Sequence, residues 1–262
     1  MAGFFENYRP HLEELRTRLL RSLIALAIGF GAGWFVRHDL LYLLKRPLLS
    51  ALPPESRHTI LLGLTDKFFL DLKLAFYGGL FLVLPYLLYQ VWAFLAPALY
   101  PHEKRLAKRG LWALLGFFAL GMIFCYLVVL PVGFAMLVPY SMGVDETPFL
   151  ADLLPIAGRT PDLLQIALPD YIDFVGTFIL AFGLSFELPL VIFSLDRIGL
   201  VGAAWFAKQR RFAVVVIFIV AAILTPPDPG SQLSMALPLC LLYELGILAA
   251  RLSPKKTAKT AS

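Results

Sequence analysis

Glu103 stands in the stretch FLAPALYPHEKR, residues 94–105, where a long apolar run stops on Pro97 and Pro101 and turns back through charge. It is a single acid in a basic setting of Lys104, Arg105, Lys108 and Arg109. An acid so placed does one of two things. It complements the dipole of the helix that follows, worth about 0.3–1 kcal/mol, or it reads a cationic ligand. Glu14 poses the same choice: it precedes Arg18 by four residues, a surface pair worth about 0.2–0.5 kcal/mol on a helix. Each carboxylate could also hold a guanidinium in a fork. A third acid, Glu187, lies inside an apolar run in FGLSFELP, residues 182–189. A charge at that depth costs about 2.5–3.5 kcal/mol on insertion scales, so Glu187 should be neutral, water-exposed in a concave pocket, or paired. Pro189 after it and Gly183 before it are expected to bend and open the helix at that level. Glu244 reads as a charge near the end of the last apolar segment. His11 and His102 have no second His or Cys at metal spacing, and no nucleophile and base stand at credible spacing. No metal, no cofactor and no enzymatic centre are expected.

The elements that must position these acids are apolar runs. Of the 262 residues, 59% are hydrophobic and 16% charged, with a mean hydropathy of +0.77, which excludes an ordinary soluble domain. Residues 4–18 carry Glu6, Arg9, Glu13, Glu14, Arg16 and Arg18 against Leu12 and Leu15 at helical spacing, an amphipathic helix leading into a span. Spans are expected at about residues 19–36, 74–96, 111–138, 171–195, 212–224 and 233–250, given roughly 1.5 Å of rise per residue and a hydrocarbon core of roughly 30 Å. The last two are short. Gly29, Gly31 and Gly33 permit close helix contact in the first. Residues 37–67 read as an interfacial helix and a loop broken at Pro53 and Pro54. Lys73 can snorkel at the edge of the second span, and Pro85 is expected to kink it. Residues 139–170 form a polar, proline-rich loop. The fold class is therefore an all-α polytopic membrane protein, with residues 1–252 as one six-span domain and 253–262 as a basic, disordered tail.

Lys and Arg concentrate at the N-terminus, around Glu103, around Lys208 and in the tail, which the positive-inside rule puts in the cytoplasm. The first outer loop, with Arg37, Lys45, Arg46, Arg57 and Lys67, departs from this pattern. The net charge of +5 is thus accounted for by membrane orientation, and no aromatic-interleaved basic face points to nucleic acid. Cys125 and Cys240 both lie in apolar runs, where they read as small buried hydrophobes.

Four stretches taken together resemble the TatC family, the multi-spanning receptor subunit of twin-arginine protein export. They are HLEELR at 11–16, residues 94–105, FELP at 186–189, and TPPD at 225–228 with Ser231, Gln232, Tyr243 and Glu244 following. Their order and their positions relative to six spans make the combination specific, over nearly everything from His11 to Ala250. The outer loop at 144–169 is longer and richer in proline than the family pattern.

The resemblance implies a cupped bundle in the bacterial cytoplasmic (inner) membrane that binds twin-arginine signal peptides and exports folded proteins on the proton motive force. The implied partners are TatA/TatB-type single-span proteins and membrane lipid, in homo- and hetero-oligomers. Glu14 and Glu103 match positions that contact the twin-arginine motif, beside Leu99, Tyr100 and Arg105, with Arg16 and Lys104 orienting or tuning the acids. Glu187 would sit in the hollow of the cup, drawing in water and headgroups. Thr225, Asp228, Gln232 and Glu244 belong to a hairpin expected to dock a partner, because its first arm spans only about 20 Å; capping of the turn is the plainer role for Thr225 and Gln232. The rival reading is a proton-coupled secondary transporter working through Glu187 and Glu244.

Overall fold

The computed structural model describes residues 2–53, 59–61, 63–99, 104–141, 166–225 and 229–252. The expected tail at 253–262 and most of the second outer loop lie outside them.

The first helix, α1, runs from Ala2–Ala51 without interruption, so the amphipathic segment, the first span and the supposed interfacial helix are one element. The separate interfacial helix is a misreading with an identifiable cause. Pro47 removes a donor and should free the carbonyl of Leu43, four residues back, but the Tyr126 hydroxyl donates to that carbonyl at 2.9 Å. The Tyr171 hydroxyl donates to Leu44 O beside it at 2.6 Å. Leu44, Leu48 and Leu52 then pack among the most buried residues of the protein, instead of lying on a lipid surface.

Helix α2, Asp66–Leu99, returns antiparallel to α1 and is helical straight through Pro85. The two cross on glycine. A Cβ built on Gly33 would stand 2.1 Å from the carbonyl oxygen of Ala75, and one on Gly79 would stand 2.4 Å from that of Gly29. Gly31, pointing the other way, meets nothing within 4 Å. Such backbone contact is how helices gain packing where lipid removes any hydrophobic drive.

The third span is composite: α3 (Lys104–Phe124), a π-helical turn (Cys125–Val129) and α4 (Leu130–Ser141). The π turn carries Tyr126. The fourth span is α5 (Leu168–Ser185) followed by α6 (Leu188–Arg197), with the interruption at Phe186 and Glu187. After a short α7 (Ala203–Lys208), α8 (Arg210–Leu224) and α9 (Pro229–Leu252) form the final hairpin. Among the described residues five stretches are long and apolar enough to cross a membrane. Helix α8 is not one of them. Its 15 residues reach only about 22 Å, whereas α9, at 24 residues, is longer at both ends than the expected 233–250.

A two-residue bridge ties the loops at the end of the bundle remote from Glu14. Strand β1 (Thr59–Ile60) pairs in parallel with β2 (Ile166–Ala167), Thr59 opposite Ile166, and Lys45 Nζ donates to Thr59 Oγ1 at 3.1 Å. The core runs from Leu70 and Leu74 on α2 through Cys125, Ile172, Val175 and Phe182 to Met235 on α9. Both cysteines are free thiols.

Candidate functional site

Glu14 sits on the first turns of α1, where an amphipathic pattern leaves Leu12 and Leu15 exposed and holds Glu14 half-buried. One of its oxygens, Oε1, accepts from Arg18 Nη2 at 2.6 Å and from Arg18 Nε at 3.0 Å. The pair is more than the surface contact its spacing suggested. Arg18 also donates from Nη1 to Gln90 Oε1 at 3.2 Å and from Nη2 to Ala93 O at 3.2 Å, anchoring the start of α1 to the last turns of α2. Gln90 is buried and donates in turn to the Tyr86 hydroxyl. The carboxylate of Glu14 is thereby held in place by a guanidinium that itself spans two helices. Arg16, on the same turn, is exposed.

This mooring stands where α2 hands over to α3. Gly110 lets the indole of Trp92 approach to within 2.2 Å of where a Cβ would be, so the two helices close tightly just before residues 100–103. Leu99 ends α2 and Lys104 and Arg105 begin α3, with their side chains outside the description. Glu103 and Tyr100 lie outside the described residues altogether. The structure thus brings Glu14 to the Gln90 and Ala93 end of the α2–α3 hairpin whose connection carries Glu103. Gln90 and Tyr86 were passed over in the sequence, though a lone amide inside the apolar run 74–96 was a usable signal.

Glu187 occupies the interruption between α5 and α6, as Pro189 led one to expect. Gly183 has a different role from opening the helix: it lets the Phe118 ring approach to 2.6 Å from a built Cβ, and Gly121 does the same for Phe186. The side chain of Glu187 is only 5% exposed. Neither oxygen has a hydrogen-bond partner within ordinary geometry among the described residues, although the Phe118 main chain lies against the carboxyl. It therefore points into the packing between α3 and α5 and not onto an open hollow.

The hairpin residues are engaged at home. Thr225 is buried and donates to Ala221 O at 2.8 Å; Gln232 Nε2 donates to Phe218 O at 3.3 Å. Both cap α8. Glu244 accepts from Arg210 Nη2 at 2.7 Å, joining the opposite ends of α8 and α9 at a half-exposed ion pair. Asp228 lies outside the described residues. What α8 does present outward is apolar: Phe212, Val215, Val216, Ile219 and Ile223 are all exposed.

Comparison with known proteins agrees with the fold. The family model described as "Sec-independent protein translocase protein (TatC)" matches residues 10–238. The chain is 36% identical over 244 residues to the Sec-independent protein translocase protein TatC of Campylobacter jejuni, covering 93% of each. It is 39% identical over 247 residues to that of Deinococcus radiodurans, covering 92% of this chain and 84% of the relative. Two solved structures of the twin-arginine translocase receptor TatC superpose with TM-scores of 0.76 and 0.77 at 35% identity, each covering 92% of this chain and 98% and 100% of theirs.

Proposed function

The chain belongs to the TatC family and is a multi-pass inner-membrane subunit of the twin-arginine translocase; from that premise we propose that Glu14 and Glu103 together receive the paired arginines of a signal peptide on the cytoplasmic side. The observation that carries this reading is the mooring of Glu14. A carboxylate steadied through Arg18 on Gln90 and Ala93 loses little further side-chain freedom when it accepts a second guanidinium. Arg16 and Lys104 stand close to the two acids in sequence, where their charge would tune acceptance. The chain acts by binding and passing cargo, not by chemistry on it. The transporter reading gives way to family membership, and Glu187 becomes a polar contact for a partner helix or an inserted signal hairpin.

Removing one acid takes away a charge-assisted contact worth about 1.5–3 kcal/mol, a loss of at least about tenfold in peptide capture. Photo-crosslinking of a twin-arginine peptide to positions flanking residue 103 measures it. Glu14→Ala and Glu103→Ala should each lower the yield and halt export. Unchanged crosslinking and export in Glu103→Ala would sink the assignment.

Single-span partners of the TatA and TatB kind are assigned to the outer face of α8, supported by its 15-residue length and its exposed apolar side chains. A helix shorter than the hydrocarbon core thins the bilayer or gathers neighbours. Cysteines replacing Val215 or Ile219 should form disulfides with cysteines in a partner's span. Cysteines replacing Thr225 should not, since that side chain faces inward. Crosslinks confined to lipid-soluble probes would remove the docking edge.

A further inference from the structure

At the end of the bundle away from Glu14, two adjoining cavities share one lysine. The first, about 670 Å³, is lined by Asp66 and Phe69 of α2, Asp170 of α5 and Lys73. The second, about 310 Å³, lies one turn deeper along the same helices and is lined by Phe30 of α1, Leu72, Phe76 and Tyr77 of α2, with Lys73 and Asp173 at its rim. One is acidic and the other apolar. Between them Lys73 Nζ donates to Asp173, and both side chains keep solvent access, at 35% and 44%. Tyr77 ties α2 to α5 beneath, its hydroxyl sharing a hydrogen bond with Thr177 Oγ1 at 3.2 Å and lying 3.4 Å from Asp173 O. Phe69, Leu72 and Phe76 face out of the bundle.

We propose that this paired cleft is a binding site for a phospholipid with a zwitterionic primary-ammonium headgroup, a phosphatidylethanolamine. The argument is charge complementarity in a fixed order. An acyl chain fits along Phe30, Leu72 and Phe76, where exposed apolar side chains meet the hydrocarbon. The phosphate then falls at Lys73, whose ammonium sits at the boundary between the two cavities. The terminal ammonium, with three N–H donors, reaches Asp66 and Asp170 in the first cavity, with Asp173 beside Lys73 at the boundary. One base against three acids disfavours an anionic lipid that brings no cation. A choline headgroup has the charge but no N–H to donate, so it forfeits the charge-assisted hydrogen bonds. The site is independent of the signal-peptide reading and of which side of the membrane this end faces.

The test is native mass spectrometry of the full chain, equilibrated in detergent with phosphatidylethanolamine, its N-methylated series through to phosphatidylcholine, or phosphatidylglycerol. Retention of phosphatidylethanolamine should exceed that of either extreme by at least about tenfold, the value of one charge-assisted hydrogen bond, and should fall stepwise with methylation. Lys73→Met combined with Asp173→Asn keeps side-chain volume and should erase the preference. Equal retention of the three lipids, a preference for phosphatidylglycerol, or a preference that survives the double substitution would each overturn the proposal. If the double variant does not fold, the methylation series on the unaltered chain decides alone: flat retention across it overturns the site, stepwise loss supports it.

Discussion

Gly33→Val is expected to leave little or no assembled protein in the membrane, whereas Gly31→Val, two residues away on the same helix, should leave assembly intact. The contrast follows from what each new Cβ would touch. At position 33 it meets Ala75 O at 2.1 Å and Gly79 N at 2.4 Å, both main-chain atoms of α2. Main chain inside a helix cannot turn aside as a side chain can, so α1 and α2 must separate along their whole crossing. Overpacking that side chains can absorb costs about 1–3 kcal/mol; this one should exceed the top of that range. Separation would also break the Arg18 bonds to Gln90 and Ala93, releasing the Glu14 carboxylate from its mooring. At position 31 nothing lies within 4 Å, and Val replaces a residue of still lower helix propensity, so no propensity cost arises. Membrane accumulation and thermal unfolding in detergent measure both variants. Equal accumulation of the two would mean that the helices are not in backbone contact.

Glu187→Leu is expected to make the protein more stable and less active at once. Its two enclosed oxygens, without hydrogen-bond partners among the described residues, carry a desolvation penalty of about 1–3 kcal/mol, which an apolar side chain of similar size removes. The unfolding temperature should therefore rise. A carboxyl retained against that cost is explained if a partner or signal hairpin supplies the missing hydrogen bonds during export, so Leu should halt export while Glu187→Gln, still polar, preserves most of it. A Leu variant that exports normally would strip Glu187 of function. A Leu variant that unfolds more easily would show that the carboxyl already has a partner in the resting protein. If Gln alone stopped export, ionisation and not polarity would be what matters.

Periodicity and composition made much of this architecture readable. An all-helical bundle, the interruption at Glu187 and the pairing of Glu14 with Arg18 are local consequences of residue type and spacing. What escaped was nonlocal. Residues 37–52 looked like a surface helix because what holds them in the core is remote: the hydroxyl that satisfies the Leu43 carbonyl freed by Pro47 comes from Tyr126, 83 positions along the chain. The three glycines of the first span looked equivalent, yet Gly29 and Gly33, four apart on one face, touch α2 and Gly31 does not. Thr225 and Gln232 looked available to a partner because the carbonyls they bond, Ala221 O and Phe218 O, belong to helix α8 and not to any local turn signal. Gln90 looked incidental until Arg18 reached it across two helices.

The unbroken course of α1 has a mechanical meaning. With the crossing at Gly29 and Gly33 acting as a fulcrum, Glu14 and Leu48 stand about 25 Å away on opposite arms, at 1.5 Å per residue. A rocking of about 5° on that pivot displaces the two ends by about 2 Å in opposite senses, a lever arithmetic that needs no bending of the rod. The far arm is gripped by Tyr126 on the π turn and Tyr171 on α5. A push delivered at the Glu14 end would thus arrive as a pull on the third and fourth spans at the other face of the membrane.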